Sequence, residues 1–165
     1  MEQVTIDGSG GLAAALQTVY PRIPVQRCWA HKVRNILDGL RVKDRPEAKR
    51  GLQRIYEASS RHRAIEQVVR FGARWEALYP KAVRQLTKNL EELLAFFAFE
   101  DPDWRRRVRT TNAIERRFRE VRRRTRPMGV FSDRTSIERI LYAVFRHENQ
   151  NQRTGTPFLV LTQTN

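Results

Sequence analysis

The first 28 residues of the chain change period twice, and that change constrains the architecture more tightly than anything later. Val4-Thr5-Ile6 reads as a strand and Asp7-Gly8-Ser9-Gly10-Gly11 as a glycine-rich turn. Leu12, Leu16 and Val19 then mark one face of a helix that stops before Pro21, and Pro24 to Cys28 returns as a short strand. An acid at the C-terminal end of a strand, ahead of glycines that open a helix, stands where open α/β sheets place reactive groups. From Trp29 onward the period is helical throughout. Trp29, Val33, Ile36, Leu37 and Leu40 share a face, and Asp38-Gly39 weakens that helix near its end.

Prolines punctuate the helical stretch beyond Leu40. Pro46 opens a helix with Leu52, Ile55 and Tyr56 inward; the next, with Ile65, Val68, Val69 and Gly72, runs to Trp75 and Tyr79 and stops at Pro80. A single helix is then expected to carry Val83, Leu86, Leu90, Leu93, Leu94 and Phe97, with Pro102 ending the block. Ile114, Phe118 and Val121 form the stripe of a further helix, Pro127-Met128-Gly129 a turn, and Ile137, Ile140, Leu141, Val144 and Phe145 the inward face of a last one. From Asn149 the chain is polar, with a Thr-Gly-Thr-Pro turn, and is expected to be irregular. The fold class is mainly α with a small β part (α/β), and no internal repeat is visible.

Charge narrows the function. Residues 104–126 hold eleven arginines against two glutamates, +9 of the formal +14 of the chain. The planar guanidinium fork suits bidentate contact with phosphate, so the expected partner is a polyanion, duplex DNA or RNA. With 40% hydrophobic residues the 165-residue chain can still bury a core. Cys28 is the only cysteine, which excludes an internal disulfide framework and fits a reducing cytoplasm. The start shows no basic segment leading into an apolar run, and Leu93 to Phe99 is too short to span a bilayer, so a cytoplasmic protein without a membrane partner is expected.

Taken singly, the chemical candidates each carry two readings. Asp7 is a metal ligand or a turn residue whose carboxylate satisfies the following amides. Glu115 is a metal ligand, or a capping-box partner of Asn112 and an i,i+4 partner of Arg119. Cys28 and His31 form C-x-x-H, but only His62 and His147 remain elsewhere to complete a zinc shell, which favours a buried thiol and a hydrogen-bonded imidazole. Trp29 and Trp75 sit at helical spacing among apolar residues and read as core, whereas Trp104 beside Arg105–Arg107 reads equally as core or as a stacking surface.

Read together, these segments resemble one family over nearly the whole chain: Asp7-Gly8 ahead of Gly11-Leu12, Val25 to Asn35 with its C-x-x-H, Trp75-Glu76-Ala77-Leu78-Tyr79-Pro80, Arg109 to Arg116 running on to Thr125, and Gly129-Val130-Phe131. The resemblance is to the Mutator family of bacterial insertion-sequence transposases, the DDE type with an RNase H-like core. It implies that Asp7 is the second catalytic acid and Glu115 the third, both metal ligands, and that Cys28 and His31 form the family's motif after the second acid. Residues 1–41 and 101–148 would then form part of the RNase H-like catalytic core, 42–100 an α-helical insertion domain, and 149–165 a C-terminal tail. The first aspartate and the DNA-end-recognition region would lie before Asp7. The chain is therefore expected to be a C-terminal portion, inactive alone in cutting or joining DNA.

The chemistry explains the acids. In two-metal phosphoryl transfer, carboxylates hold a pair of Mg²⁺ (or Mn²⁺) ions about 4 Å apart, one activating water or a 3′-hydroxyl and the other stabilising the leaving oxygen. Asp7 and Glu115 are therefore expected to converge. Lys32 and Arg34 near the C-x-x-H motif, Arg105, Arg106, Arg107 and Arg109 ahead of the Glu115 helix, and Arg116, Arg119, Arg122 and Arg123 along it are the expected DNA contacts. They would touch phosphates and give affinity without sequence reading. The expected function is DNA cleavage and strand transfer in transposition, by a nucleoid-associated bacterial enzyme that is a homo-oligomer when intact. The alternative from a different class is a non-enzymatic, arginine-rich nucleic-acid-binding protein.

Overall fold

The computed structural model describes residues 3–131 and 133–150, and these divide into two compact units, one up to Thr111 and one from Asn112. The expected Thr-Gly-Thr-Pro turn of the tail and the start at Met1-Glu2 lie outside the described residues.

The first unit opens as the sequence suggests. β1 (Val4–Ile6) and β2 (Val25–Arg27) pair in parallel, Val4 opposite Val25 and Ile6 opposite Arg27, across the helix α1 (Gly10–Val19). The turn between β1 and α1 is built by side chains. Asp7 Oδ1 accepts the Ser9 N–H at 2.9 Å, and Ser9 Oγ accepts the Leu12 N–H as the helix cap. Gly8 stands at φ +105°, where a side chain would be strained.

α1 contributes nothing to the buried core. No residue of it is buried, and Leu12 and Val19 are 46% and 64% exposed.

The helical block comes next as α2 (Trp29–Asp38), a 3₁₀ turn at Val42–Asp44, α3 (Arg45–Tyr56), α4 (Arg61–Trp75), α5 (Pro80–Thr87), α6 (Leu90–Leu94), a second 3₁₀ turn at Ala95–Ala98, and α7 (Pro102–Val108). Proline stands in the first turn of α3, α5 and α7, where its missing N–H costs nothing. Ser60 caps α4 and Asp101 caps α7 through their side-chain oxygens. One core joins these helices from Trp29 on α2, through Leu52 and Ile55 on α3 and Phe71 and Trp75 on α4, to Leu86, Leu93 and Phe96. α3 and α4 approach closely because Gly51 has no side chain; a Cβ there would stand 3.0 Å from the Phe71 ring.

Two sequence expectations fail here. The single helix from Val83 to Phe97 is three pieces, broken at Asn89, whose φ of −132° and ψ of 40° are non-helical. Val69 is exposed rather than inward, since Val68, Phe71 and Trp75 already fill the buried stripe of α4.

A polar residue anchors the sheet to this block. Gln26, in the middle of β2, is fully buried; its amide nitrogen donates to Leu93 O at 3.0 Å and its oxygen accepts the Phe96 N–H at 2.7 Å. Trp29 Nε1 donates to the same Leu93 carbonyl. All three bonds fall where α6 gives way to a 3₁₀ turn, so they satisfy backbone groups that the break in the helix sets free.

The second unit consists of α8 (Asn112–Thr125), a 3₁₀ turn at Arg126–Met128 and α9 (Arg134–Gln150). Gly129 takes φ +68° after the turn. Phe118 on α8 meets Phe145 on α9 edge to face, with centroids 6.2 Å apart, and Val121 and Val144 are buried. Ile114, Phe118 and Ile137 remain about two-fifths exposed, so the apolar stripes expected on these helices are only partly covered. Asn149 and Gln150 close α9 rather than opening an irregular tail.

Candidate active site and nucleic-acid interface

Asp7 stands at the C-terminal end of β1, exposed, with one carboxylate oxygen committed to the Ser9 amide. That is the turn chemistry the sequence allows, and it orients the carboxylate without using its second oxygen. Beside it, Arg27 at the end of β2 reaches Gly8 O at 3.5 Å and pairs with Glu92 on α6.

The segment leading to the Glu115 helix is stitched to these strand ends. Thr5 Oγ1 donates to Val108 O at 2.5 Å, Trp29 N–H to Arg109 O at 2.9 Å, and Cys28 N–H to Ile6 O at 2.8 Å. The Cys28 sulfur, buried, accepts both the Thr111 N–H at 3.3 Å and the Thr111 hydroxyl at 3.2 Å, with His31 Nδ1 also at 3.3 Å. Cys28 and His31 thus work as a hydrogen-bonding pair. Among the described residues, no three of His, Cys, Asp and Glu gather to hold a metal ion. The C-x-x-H spacing places both side chains on one turn, because Cys28 precedes the first residue of α2 and His31 lies a turn further on. Glu115 lies in the first turn of α8, four residues after Thr111 in sequence.

The basic residues divide by what their charged ends already hold. Arg109 donates to Tyr56 O at 2.6 Å with its guanidinium 4.9 Å above the Tyr56 ring, and burial lowers its pKa. Arg105 donates to Phe99 O and Ser59 O and lies over Phe97. Lys32 Nζ donates to Gln85 O at 2.9 Å; its pKa is lowered, first by burial and then by Arg27. Arg117, absent from the sequence-based set, is buried and donates to Asn149 Oδ1 at 3.0 Å. No sequence signal marks it among ten other arginines.

By contrast Arg34, Arg107, Arg116, Arg119 and Arg122 are exposed and have no ion-pair partner among the described residues. Arg106 makes a loose 3.7 Å pair with Asp103, and Arg123 shares Glu120 with Arg124. Trp104 is half exposed and stacks on Phe99.

The described residues thus comprise a small parallel β-α-β start with an acid at a strand end, a helical block and an arginine-faced helix. Residues 1–155 match the family described as "Transposase, Mutator family", and the chain belongs to that family. It is 46% identical over 119 residues to a transposase for insertion sequence element IST2 of Acidithiobacillus ferrooxidans, covering 72% of this chain and 40% of that protein. It is 39% identical to the IS6120 transposase of Mycolicibacterium smegmatis, over 73% of this chain and 37% of that one. Identity to the IS905 transposase of Lactococcus lactis is 31%, over 94% of this chain and 40% of the relative. The chain thus spans about two-fifths of the length of these relatives. No helix among the described residues is long and apolar enough to cross a membrane.

Proposed function

We propose that the chain is the part of a DDE-type insertion-sequence transposase that carries two acids of an RNase H-like core, Asp7 and Glu115, together with a helical insertion at 42–100. The observation that supports this most is the stitching of residues 108–111 to the ends of β1 and β2. Asp7 leaves β1, and Glu115 follows Thr111 by four residues in sequence.

The donor chemistry fits magnesium. Mg²⁺ takes hard oxygen ligands and is commonly held by one or two carboxylates together with waters and substrate phosphates, so a cage of three protein ligands is not required. Asp7 and Glu115 would hold it; bound there, the metal pair would supply an activated nucleophile and charge stabilisation at the leaving oxygen. Carried to the whole protein, the reading takes a further acid from the part of the relatives' length that the match does not cover. Cys28 and His31 keep the local geometry: the Cys28 sulfur accepts from Thr111 and meets the His31 ring, which holds the end of the first unit in place. Arg116, Arg119 and Arg122 neutralise phosphates of the transposon-end and target duplexes, with Arg34, Arg106, Arg107 and Arg123 contributing further along the surface. Arg105 and Arg109 serve mainly to hold the backbone. The nucleoid-associated location and the homo-oligomer of the intact enzyme belong to the same reading.

The test is a DNA-cleavage and strand-transfer assay with Mg²⁺ on a chain extended to the relatives' length, alongside its Asp7→Asn and Glu115→Gln variants. Both variants are expected to fall to background while still binding DNA. Full activity in Glu115→Gln would leave Glu115 as a helix-start residue only.

A further inference from the structure

We propose that the groove between α2 and α5 is a second contact for the sugar-phosphate backbone of duplex DNA, held by Lys81, Arg84 and Lys88. The proposal rests on the DNA-binding reading above and assigns to DNA a face of the helical block.

α5 is two-sided. Ala82, Val83 and Leu86 are buried in the core, and Lys81, Arg84, Gln85 and Lys88 stand at i, i+3, i+4 and i+7 on the other side, all exposed. A basic helical stripe is commonly no more than a solvated face. This one borders a concavity. The groove has a volume of about 760 Å³; α2 contributes Asn35 to its wall, and Leu78, 60% exposed, gives it an apolar patch suited to deoxyribose.

No acidic side chain lines it, and Lys81, Arg84 and Lys88 have no ion-pair partner among the described residues. Lys32 crosses from α2 to donate to Gln85 O; burial lowers its pKa most, with Arg27 and, least, Lys88 acting in the same direction against Glu92.

Length also matches. From Lys81 to Lys88 the chain rises about 10 Å, close to the advance along the duplex axis of three phosphates of one strand at about 3.4 Å each. Lysine and arginine at successive turns suit such a track, whereas reading base edges would call for an element that enters a groove of the duplex.

The experiment measures binding of the full chain to a duplex of arbitrary sequence by fluorescence anisotropy over a salt series. Three triple variants with the same change in charge are compared: Lys81→Gln/Arg84→Gln/Lys88→Gln in the groove, Arg116→Gln/Arg119→Gln/Arg122→Gln on α8, and Lys49→Gln/Arg50→Gln/Arg54→Gln on the exposed side of α3. All nine side chains are exposed, so melting temperatures are expected to stay close to that of the parent.

The groove triple should lose on the order of tenfold in affinity and lower the slope of log K against log salt by about 2 to 3, near 0.9 per lost phosphate contact. The α3 triple should lose much less. Equal losses in the groove and α3 triples would overturn the proposal, since diffuse charge would then suffice. A loss confined to the α8 triple would overturn the groove alone, whereas failure of the parent chain to bind duplex at all would overturn the DNA-binding reading beneath it. Polyglutamate is the remaining arm: binding as tight as that of DNA, lost in the same groove variant, would give the groove to an acidic protein instead.

Discussion

α7 and α8 follow one another in the chain and are both rich in arginine, but Arg105 on α7 and Arg109 just after it turn their guanidinium groups inward while Arg116, Arg119 and Arg122 on α8 turn theirs out. Arg105 and Arg109 donate to the carbonyls of Phe99, Ser59 and Tyr56, and each lies over an aromatic ring. Arg116, Arg119 and Arg122 face solvent without a carboxylate to pair with among the described residues. Net charge counts the two sets alike. Their contributions differ in kind: a guanidinium that completes backbone carbonyls acts on stability, and one whose N–H groups face water is available for a phosphate.

The contrast can be broken most sharply from the α8 side. Arg116→Ala/Arg119→Ala/Arg122→Ala should weaken duplex binding by about 10- to 100-fold at low salt, similarly for unrelated sequences, with the thermal midpoint unchanged. A loss concentrated on one sequence would mean that these residues read bases. From the other side, Arg109→Ala should cost about 2 to 3 kcal/mol in denaturant unfolding, for a charge-assisted hydrogen bond and a ring contact. Its effect on DNA affinity should be small. If affinity fell as far as in the α8 triple while stability held, the division between the helices would be wrong.

Cys28→Ala tests the joint between them. Losing the acceptor for Thr111 should destabilise by about 1 to 2 kcal/mol. Cys28→Ser, which retains an acceptor, should cost less, and equal costs would show that volume rather than hydrogen bonding matters there. The smallest effect concerns pH. Hydrogen bonds from Arg123 and then Arg124 lower the pKa of Glu120 below its ordinary 4.5. The ionised form is therefore the one stabilised in the folded chain. Its contribution is complete above that ordinary value and is lost as pH falls through the lowered one. Glu120→Gln should remove a slight part of the stability difference between pH 6 and pH 3, and a larger difference in the variant would reverse the sign.

Much of the fold is legible in the sequence where the signal is local. The strand-helix-strand opening, the stop before Pro21 and the turn at Gly129 depend on neighbours within a few residues, and the structure keeps them, whereas α4 ends at Trp75, short of Tyr79, and Pro80 and Pro102 open α5 and α7. The breaks at Asn89 and after Leu94 are hidden because apolar residues keep helical spacing across them, and at the second of these Gln26 and Trp29 supply partners from 64 and more residues away. The roles of Arg105 and Arg109 are hidden for a related reason. Their partners are carbonyl oxygens, which every residue has, so no residue type in the sequence marks the acceptor. The exposed face of α1 obeys the converse rule: periodicity shows that Leu12, Leu16 and Val19 share a side, not what covers it.

The sulfur of Cys28 and the amide of Thr111 are 83 residues apart in the chain, and Thr5 and Val108 are 103 apart. These bonds have to wait. During synthesis at about 5 to 20 residues per second, Thr111 emerges roughly 4 to 17 s after Cys28. The α3–α4 pair, whose contacts are mostly local, has ample time to form in that interval. Once folded, it shortens the flexible path that must close to bring Thr111 back, which reduces the entropy of closure. The helical block is in this sense a brace for the seam between the two ends of the first unit.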